Sequence, residues 1–213
     1  MAKTIKGMKV LVLCPHADDA ELGCGGTLAR FIKEGKEIFC VIFSAGEKNV
    51  PREFPGDILR TEIKKATKTL GINPRNLILF NYETRLFPTF RQSILDDLIT
   101  LEKQLKPDLV ILPSMYDIHQ DHQVISQEGI RAFRNISIIG YEMFRNNMTF
   151  PARLFIALTK EHINLKMKAI SHYQSQAFRV SLSPIFYEKL ARIRGMQIGV
   201  EYAEAFEIIK WVI

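Results

Sequence analysis

Short apolar runs alternate with stretches of helical period along the first 133 residues of the chain. Four runs lack the polar alternation of a half-exposed strand and predict strands covered on both faces, at residues 8–13, 38–43, 77–80 and 109–112. Helical patterns follow them at residues 27–34, 57–70, 93–105 and 121–133. This alternation predicts βαβ units, and right-handed crossovers then predict a Rossmann-like, doubly wound α/β fold. We expect a mostly parallel sheet with helices on both faces.

The pattern becomes looser after residue 135. Strands are predicted at residues 136–141 and 154–158, helices at 161–172 and 185–194, and an extended segment at 202–213. The chain contains no internal repeat and no linker-like stretch. We therefore expect a single domain over residues 1–213, a length that one domain commonly has.

Two polar segments follow the first and fourth predicted strands, at residues 14–21 and 116–122. Together they hold three of the five histidines and four aspartates. In a doubly wound sheet of order 3-2-1-4, the winding reverses between strands one and four, and a crevice opens at their carboxyl ends. Segments about 100 residues apart in sequence are thus expected to meet at a ligand site.

Histidine and aspartate in such a crevice predict a metal centre. Zinc accepts imidazole nitrogen and carboxylate oxygen, and a catalytic zinc keeps three protein ligands and one open position. The candidate ligands are His16, one of Asp18 or Asp19, and one of His119 or His122. One carboxylate and one imidazole then remain for proton transfer, which is the equipment of a metal hydrolase.

The glycine run after the first polar segment does not fit a dinucleotide site. A GxGxxG fingerprint begins directly after its strand, whereas residues 14–22 separate the strand from Gly23, Gly25 and Gly26. We expect these glycines to permit close backbone packing and entry into a helix at Thr27.

Composition excludes several partners and locations. The net charge of +6, from 29 basic and 23 acidic residues, is too small and too dispersed to indicate nucleic-acid binding. Apolar runs of four to six residues are far below the roughly 20 that a membrane-spanning helix needs. The N-terminus lacks the features of a signal peptide, and Cys14, Cys24 and Cys40 form no CxxC pair. We expect free thiols and a cytoplasmic protein.

Two motifs resemble those of the LmbE-like (PIG-L) family of zinc-dependent N-deacetylases. Residues 15–29 resemble its HPDDE motif with the GCGGT-like run that follows, and residues 119–122 (HQDH) are similar to its HxDH motif. Weaker similarities extend along the chain at residues 60–62, 70–72, 168–176 and 202–206. Ala17 and Ala20 stand where the family usually has proline and glutamate.

The resemblance implies a Rossmann-like fold and a hydrolase that removes acetyl groups from N-acetylglucosamine-type sugars. It implies one zinc ion per chain, held by His16, Asp19 and His122. It also implies Asp18 as the general base and His119 as the acid that faces the oxyanion. Asp121 would orient His119.

The expected substrate is a small N-acetyl amino sugar. Residues 125–200 carry eleven Lys or Arg and four acidic residues; this excess is most simply a solvated basic face, and the alternative is a cavity mouth that attracts an anionic conjugate. Arg60, Glu47 and His172 are candidates for sugar contact, with surface salt bridges and structural hydrogen bonds as the alternative. No nucleic acid or membrane partner is expected, and an exposed Trp211 would indicate a subunit contact in a homo-oligomer.

Two other functions compete with deacetylation. A metal-dependent phosphoesterase or nuclease would use paired aspartates and histidines to hold two metals. A non-catalytic Rossmann-like module would bind a sugar nucleotide or a partner protein without turning it over. One metal per chain favours deacetylation over the first alternative, and Asp18 and His119 argue against the second.

Overall fold

Seven strands form one sheet in the computed structural model, which describes residues 7–179 and 182–213. The strands are Lys9–Cys14 (β1), Glu37–Ile42 (β2), Leu77–Leu79 (β3), Leu109–Pro113 (β4), Ser137–Tyr141 (β5), Leu154–Leu158 (β6) and Tyr202–Lys210 (β7). Their order is β3-β2-β1-β4-β5-β7-β6. The first five strands pair in parallel, whereas β7 is antiparallel to both β5 and β6. The predicted mostly parallel sheet is confirmed.

Helices cover both faces of this sheet. They are Asp19–Lys33 (α1), Ile58–Leu70 (α2), Arg91–Leu105 (α3), Gln120–Ala132 (α4), Lys160–Ile170 (α5) and Pro184–Met196 (α6). One core lies beneath α1, α2, α5 and α6 and takes Val10 and Val12 from β1. The other lies beneath α3 and α4 and takes Leu11 and Leu13. Both faces of β1 are therefore buried, which explains its unbroken apolar run.

No helix in the described ranges has the length and apolarity needed to cross a membrane.

Helix α1 begins eight residues earlier than its sequence pattern predicts, at Asp19 rather than Thr27. The glycine run lies inside the helix, which is kinked at Cys24 (φ −147°, ψ 18°). The kink leaves backbone N–H groups without helical partners, and the carboxylate of Glu204 on β7 accepts those of Gly26 and Thr27 at 3.0 and 2.7 Å. A distant acidic residue thus caps the second half of the helix.

Glu204 is itself buried and is paired with Lys166 of α5. The Lys166 ammonium lies 2.6 Å from Oε1 of Glu204 and also donates to the carbonyl oxygen of Leu22 at 2.9 Å. A buried carboxylate with this many donors is fully compensated for its lost hydration. The Glu204–Lys166 pair therefore connects α1, α5 and β7 at the kink.

Gly23 is required by close packing against β5. A Cβ built at Gly23 would lie 2.4 Å from a ring carbon of the fully buried Tyr141. We therefore expect Gly23→Ala to lower the free energy of unfolding by about 1–3 kcal/mol, although alanine is the better helix former. Chemical denaturation would measure this loss. Gly56→Ala is the control, because nothing lies within 4 Å of its Cβ position; equal stability of both variants would contradict the packing argument.

Candidate metal centre and active-site cleft

The two polar segments predicted to converge do meet at the switch point of the sheet. Strands β1 and β4 are direct neighbours, and each continues into one of the segments at its carboxyl end. His16 follows β1, and His122 lies in the first turn of α4 after β4. Nδ1 of His16 lies 3.2 Å from Nε2 of His122. Side chains 106 positions apart in sequence are therefore in contact.

Asp19 completes a set of three donor atoms. Its Oδ2 lies 3.7 Å from Nδ1 of His16 and 3.5 Å from Nε2 of His122. The same oxygen accepts the backbone N–H of His16 at 2.7 Å, which fixes the carboxylate within the loop. Asp19 and His122 are almost completely buried.

Two further carboxylates hold the outer nitrogens of these imidazoles. Nε2 of His16 lies 2.9 Å from Oδ2 of Asp121. Nδ1 of His122 lies 2.8 Å from Oδ2 of Asp117, an ion-pair distance, although the angle falls outside hydrogen-bond geometry. Carboxylate and ring are both buried, so water does not screen their attraction. A carboxylate beside one ring nitrogen favours the N–H there and turns the lone pair of the other nitrogen inward.

This arrangement fits a divalent metal ion. Two inward lone pairs and a carboxylate oxygen repel one another unless a cation or a proton lies among them. Two imidazole nitrogens and one carboxylate oxygen, each supported by an outer partner, are a donor set that zinc accepts. The residues present therefore suit the metal that the sequence predicts.

The position of Asp121 differs from the sequence-based expectation. Its carboxylate contacts His16, not His119, and it also accepts the backbone N–H groups of Arg85 at 2.6 Å and Phe87 at 3.3 Å. The link to His119 runs through the backbone, since the Asp121 N–H donates to Nδ1 of His119 at 3.2 Å. His119 has extended backbone as the N-cap, whereas Asp121 lies in the first turn of α4, and the two side chains point in different directions. Asp121 is positioned to orient His16.

His119 caps the N-terminus of α4, and the cap fixes its tautomer. Because Nδ1 accepts a backbone N–H, the ring proton of the neutral imidazole lies on Nε2. The backbone N–H of His119 in turn donates to Oδ1 of Asp117 at 2.8 Å. Partial burial, with His122 and His16 nearby, lowers the pKa of His119 to about 4. Near neutral pH the ring is therefore a neutral N–H donor beside the other two histidines.

His119 is also a geometric alternative to Asp19 as a ligand. One nitrogen from each of His16, His119 and His122 can be chosen so that all lie within 4.8 Å of one another. The inner position of Asp19 and the cap at His119 favour the set with Asp19.

The buried pair of His122 and Asp19 has shifted pKa values. Burial lowers the pKa of His122, but Asp19 and Asp117 outweigh it and raise that pKa to about 9. Burial raises the pKa of Asp19 despite the two imidazoles.

A cavity of about 540 Å³ opens above this cluster. Asp18 lines it at the start of α1, beside His119 and the other histidines. The side chain of Asp18 is 13% exposed, and its Oδ2 lies 3.8 Å from Nη1 of Arg179. Asp18 has the position that a proton acceptor for a reacting molecule in the cavity requires.

One wall of the cavity comes from a segment after α5 for which the sequence predicted no role, although the neighbouring His172 was a candidate for sugar contact. The residues of this wall are Tyr173, Gln176, Phe178 and Arg179. The Tyr173 hydroxyl donates to the carbonyl oxygen of Ala17 at 2.6 Å and lies 3.1 Å from Oε2 of Glu21. The buried carboxylate of Glu62 accepts both the N–H and the hydroxyl of Ser175, at 2.8 and 2.6 Å. Similarity at residues 168–176 was the one sequence signal for this wall.

The three predicted sugar contacts lie elsewhere. Arg60 donates through Nε to Oε1 of Glu47 at 2.5 Å, as in the surface salt bridge considered as the alternative. His172 contacts the Thr69 hydroxyl at 2.8 Å on α2. None of these three residues is among those that line the cavity. Substrate contact by these three residues stays a prediction from the sequence.

The parallel sheet, the cluster of histidines and aspartates and the cavity above it together define a Rossmann-like α/β protein with a candidate metal centre at its switch point. Residues 11–133, which include both motifs, match the PIG-L family, described as GlcNAc-PI de-N-acetylase. The chain belongs to this family.

Similar proteins agree with the assignment. YaiS of Escherichia coli (strain K12), named an uncharacterized deacetylase, is 31% identical over 175 residues, covering 78% of this chain and 90% of that protein. The structure of the N,N'-diacetylchitobiose deacetylase from Pyrococcus horikoshii superimposes with a TM-score of 0.78 at 25% identity, over 94% of this chain and 83% of that one. The conserved protein TT1542 from Thermus thermophilus shares the fold, with a TM-score of 0.82 at 24% identity over 97% and 96% of the two chains.

Proposed function

We propose that the protein is a metal-dependent amide hydrolase that removes the N-acetyl group from an N-acetylglucosamine-type sugar or conjugate. The observation that carries this proposal is the inward convergence of three metal-type donors beside Asp18 and His119 at the floor of an open cavity. Family membership supports it, as does the deacetylase named among the similar structures. The products are acetate and a free amine.

The proposed metal is zinc, one ion per chain, with His16, Asp19 and His122 as its ligands. Bound there, zinc would polarise the acetyl carbonyl and lower the pKa of a water molecule toward about 7. Asp121 and Asp117 keep the two imidazoles oriented through their outer nitrogens.

The chain's own residues supply the proton transfers. Asp18 takes a proton from the water that attacks the acetyl carbon. Nε2–H of His119 donates a hydrogen bond to the oxyanion of the tetrahedral intermediate, and a donor fixed in this way typically contributes roughly 10²–10³ in rate. Asp18 then returns its proton to the amide nitrogen as the C–N bond breaks.

Metal removal tests the proposal directly. We expect dialysis against a chelator to lower acetate release from N-acetyl sugars by at least about 10²-fold, because water is a poor nucleophile without the ion. One equivalent of Zn²⁺ should restore the rate, whereas Mg²⁺ should not, since it prefers an all-oxygen octahedral shell. Acetate assays across a panel of N-acetyl sugars measure this; undiminished activity in chelator would contradict the proposal.

The competing phosphoesterase has less support. Two-metal sites need ligands for a second ion. Within the described ranges, the metal-type donors that lie close enough together are His16, His119 and His122, with Asp19 beside them, and they gather around one position only. Phosphate release from phosphate esters, with two metals per chain, would favour that alternative. A non-catalytic module would release neither acetate nor phosphate.

Location and assembly belong to the same proposal. Cys14, Cys24 and Cys40 are free and buried, as expected of a protein in the reducing cytoplasm.

Trp211 is 56% exposed near the end of the chain. An exposed tryptophan is consistent with a subunit contact, so we propose a homo-oligomer that uses this surface.

A further inference from the structure

Three arginines line the cavity above the candidate metal centre. Arg85 precedes α3, Arg145 follows β5, and Arg179 lies beyond α5, so three separate loops each bring one guanidinium to the same cavity. All three residues are exposed. The acidic residues of the lining, Asp18 and Asp19, already have roles at the proposed reaction centre. The lining therefore carries three guanidinium groups against two carboxylates.

Two of these arginines have no carboxylate partner among the residues that the structure describes. Within those residues, ion pairs are found for neither Arg85 nor Arg145, whereas Arg179 has one at 3.8 Å with Asp18. In the same ranges, six of the ten arginines outside the cavity are paired with carboxylates, including Arg60 with Glu47 and Arg194 with Glu142. Two guanidinium groups without a carboxylate partner at one cavity attract an anion.

The backbone at Arg85 points to a use for its side chain. Arg85 has φ +73°, a left-handed conformation that glycine adopts without strain and arginine does not. The conformation is held by the hydrogen bond from its N–H to Asp121. A side chain kept at a strained position and facing a cavity suggests a ligand contact.

Arg145 is held at the cavity by a closed turn. The N–H of Asn146 donates to the carbonyl oxygen of Met143 at 2.8 Å, and the N–H of Met143 donates to the side chain of Asn147, also at 2.8 Å. The side-chain Nδ2 of Asn146 donates to Oδ2 of Asp117 at 3.2 Å, and this carboxylate also lies next to His122. Arg145 is thus presented from a rigid element beside the reaction centre.

We propose that Arg85, Arg145 and Arg179 form a subsite for an anionic group, either a phosphate or a carboxylate, attached to the N-acetyl amino sugar. Guanidinium groups bind both anions through paired hydrogen bonds, which a neutral sugar cannot offer. The inference rests on the proposed deacetylase function and adds the substrate's charge to it. It makes these arginines the determinants of specificity.

Kinetics with matched substrates test the subsite. The substrates are the methyl glycoside of N-acetylglucosamine, N-acetylglucosamine 1-phosphate, and a glycoside whose aglycone carries a carboxylate. We expect kcat/KM to be at least about tenfold higher for one or both anions than for the neutral glycoside, as expected for hydrogen bonds to charged groups. The better of the two anions identifies the group. Equal values for all three would overturn the inference and leave deacetylation intact.

Charge-removing variants assign the preference to its residues. The ratio of anionic to neutral kcat/KM should fall in Arg145→Gln and fall further, toward one, in the Arg85→Gln/Arg145→Gln double variant. Arg145→Lys should keep part of the preference. Arg75→Gln is the matched control, since Arg75 is exposed and precedes β3 at the opposite end of the sheet. An unchanged ratio in the double variant would refute the assignment.

Binding measurements separate this inference from the proposed reaction. Calorimetry with the zinc-loaded Asp18→Asn variant compares affinity for the three ligands without turnover. Tighter binding of an anion, lost in the double arginine variant, would support the subsite even if no substrate were hydrolysed. Equal binding, or none, would overturn it.

Discussion

Asp18→Asn is expected to lower kcat for deacetylation by about 10³-fold while leaving the zinc content unchanged. Asparagine keeps the size of the side chain but cannot take a proton from the attacking water, and a positioned general base typically contributes roughly 10²–10⁴. Asp18 is not among the three converging donor atoms, so the metal should remain. Steady-state kinetics and elemental analysis of the same sample would measure both properties.

A matched control makes this result specific. Asp57 is exposed at the start of α2, where its side chain makes no capping hydrogen bond, and Asp57→Asn makes the same chemical change away from the cavity. It should leave kcat within about twofold, as surface substitutions usually do. A near-normal rate in Asp18→Asn would remove Asp18 from the mechanism, and loss of zinc from this variant would make it a ligand instead.

His122→Ala should remove both metal and activity. The substitution deletes one of three inner donors, leaves Asp117 buried without its imidazole partner and leaves Asp19 with His16 alone. We expect at least a roughly 10²-fold loss of zinc affinity and a fall of about 3 kcal/mol in the free energy of unfolding. Zinc titration with a competing chelator and chemical denaturation would measure these effects.

Because His122→Ala also destabilises the fold, a milder variant is needed beside it. Asp117→Asn keeps all three donors and weakens only the orientation of His122, so we expect a roughly 10- to 100-fold loss of zinc affinity in a folded protein. His172→Ala is the control, since His172 contacts Thr69 outside the cluster. Full zinc retention in both His122→Ala and Asp117→Asn would overturn the ligand set.

The arrangement of β1 to β4 and the meeting of His16 with His122 follow from rules that act on the sequence directly. Unbroken apolar runs indicate buried parallel strands, and the handedness of crossovers leaves few orders for them. The place of β7 between β5 and β6 does not follow in the same way. Its pairing is antiparallel, and an apolar pattern does not specify which neighbour a late strand chooses.

Helix α1 shows where local pattern misleads. Glycine is a poor helix former, so the run from Gly23 to Gly26 predicts a helix that starts afterwards. Tertiary packing overrides this preference, because Tyr141 occupies the space that a Cβ would fill. The information needed to place the helix start lies on β5 and β7, far away in sequence.

The arginines of the cavity could not be assigned from the sequence for a different reason. Arg85, Arg145 and Arg179 are single exposed residues in three loops, and no periodicity or motif distinguishes them from other surface arginines. The excess of basic residues between positions 125 and 200 indicated only the sign of the charge. Their shared position depends on how the loops fold back over the sheet.

The kink in α1 gives this helix two N-termini, one at Asp18 and Asp19 and one at Gly26 and Thr27. Glu204 satisfies the second, and so it fixes the angle between the two halves. That angle sets the direction in which the first half leaves β1. The position of Asp18 and Asp19 at the cavity therefore depends partly on an acidic side chain on a strand two places beyond β4 in the sheet.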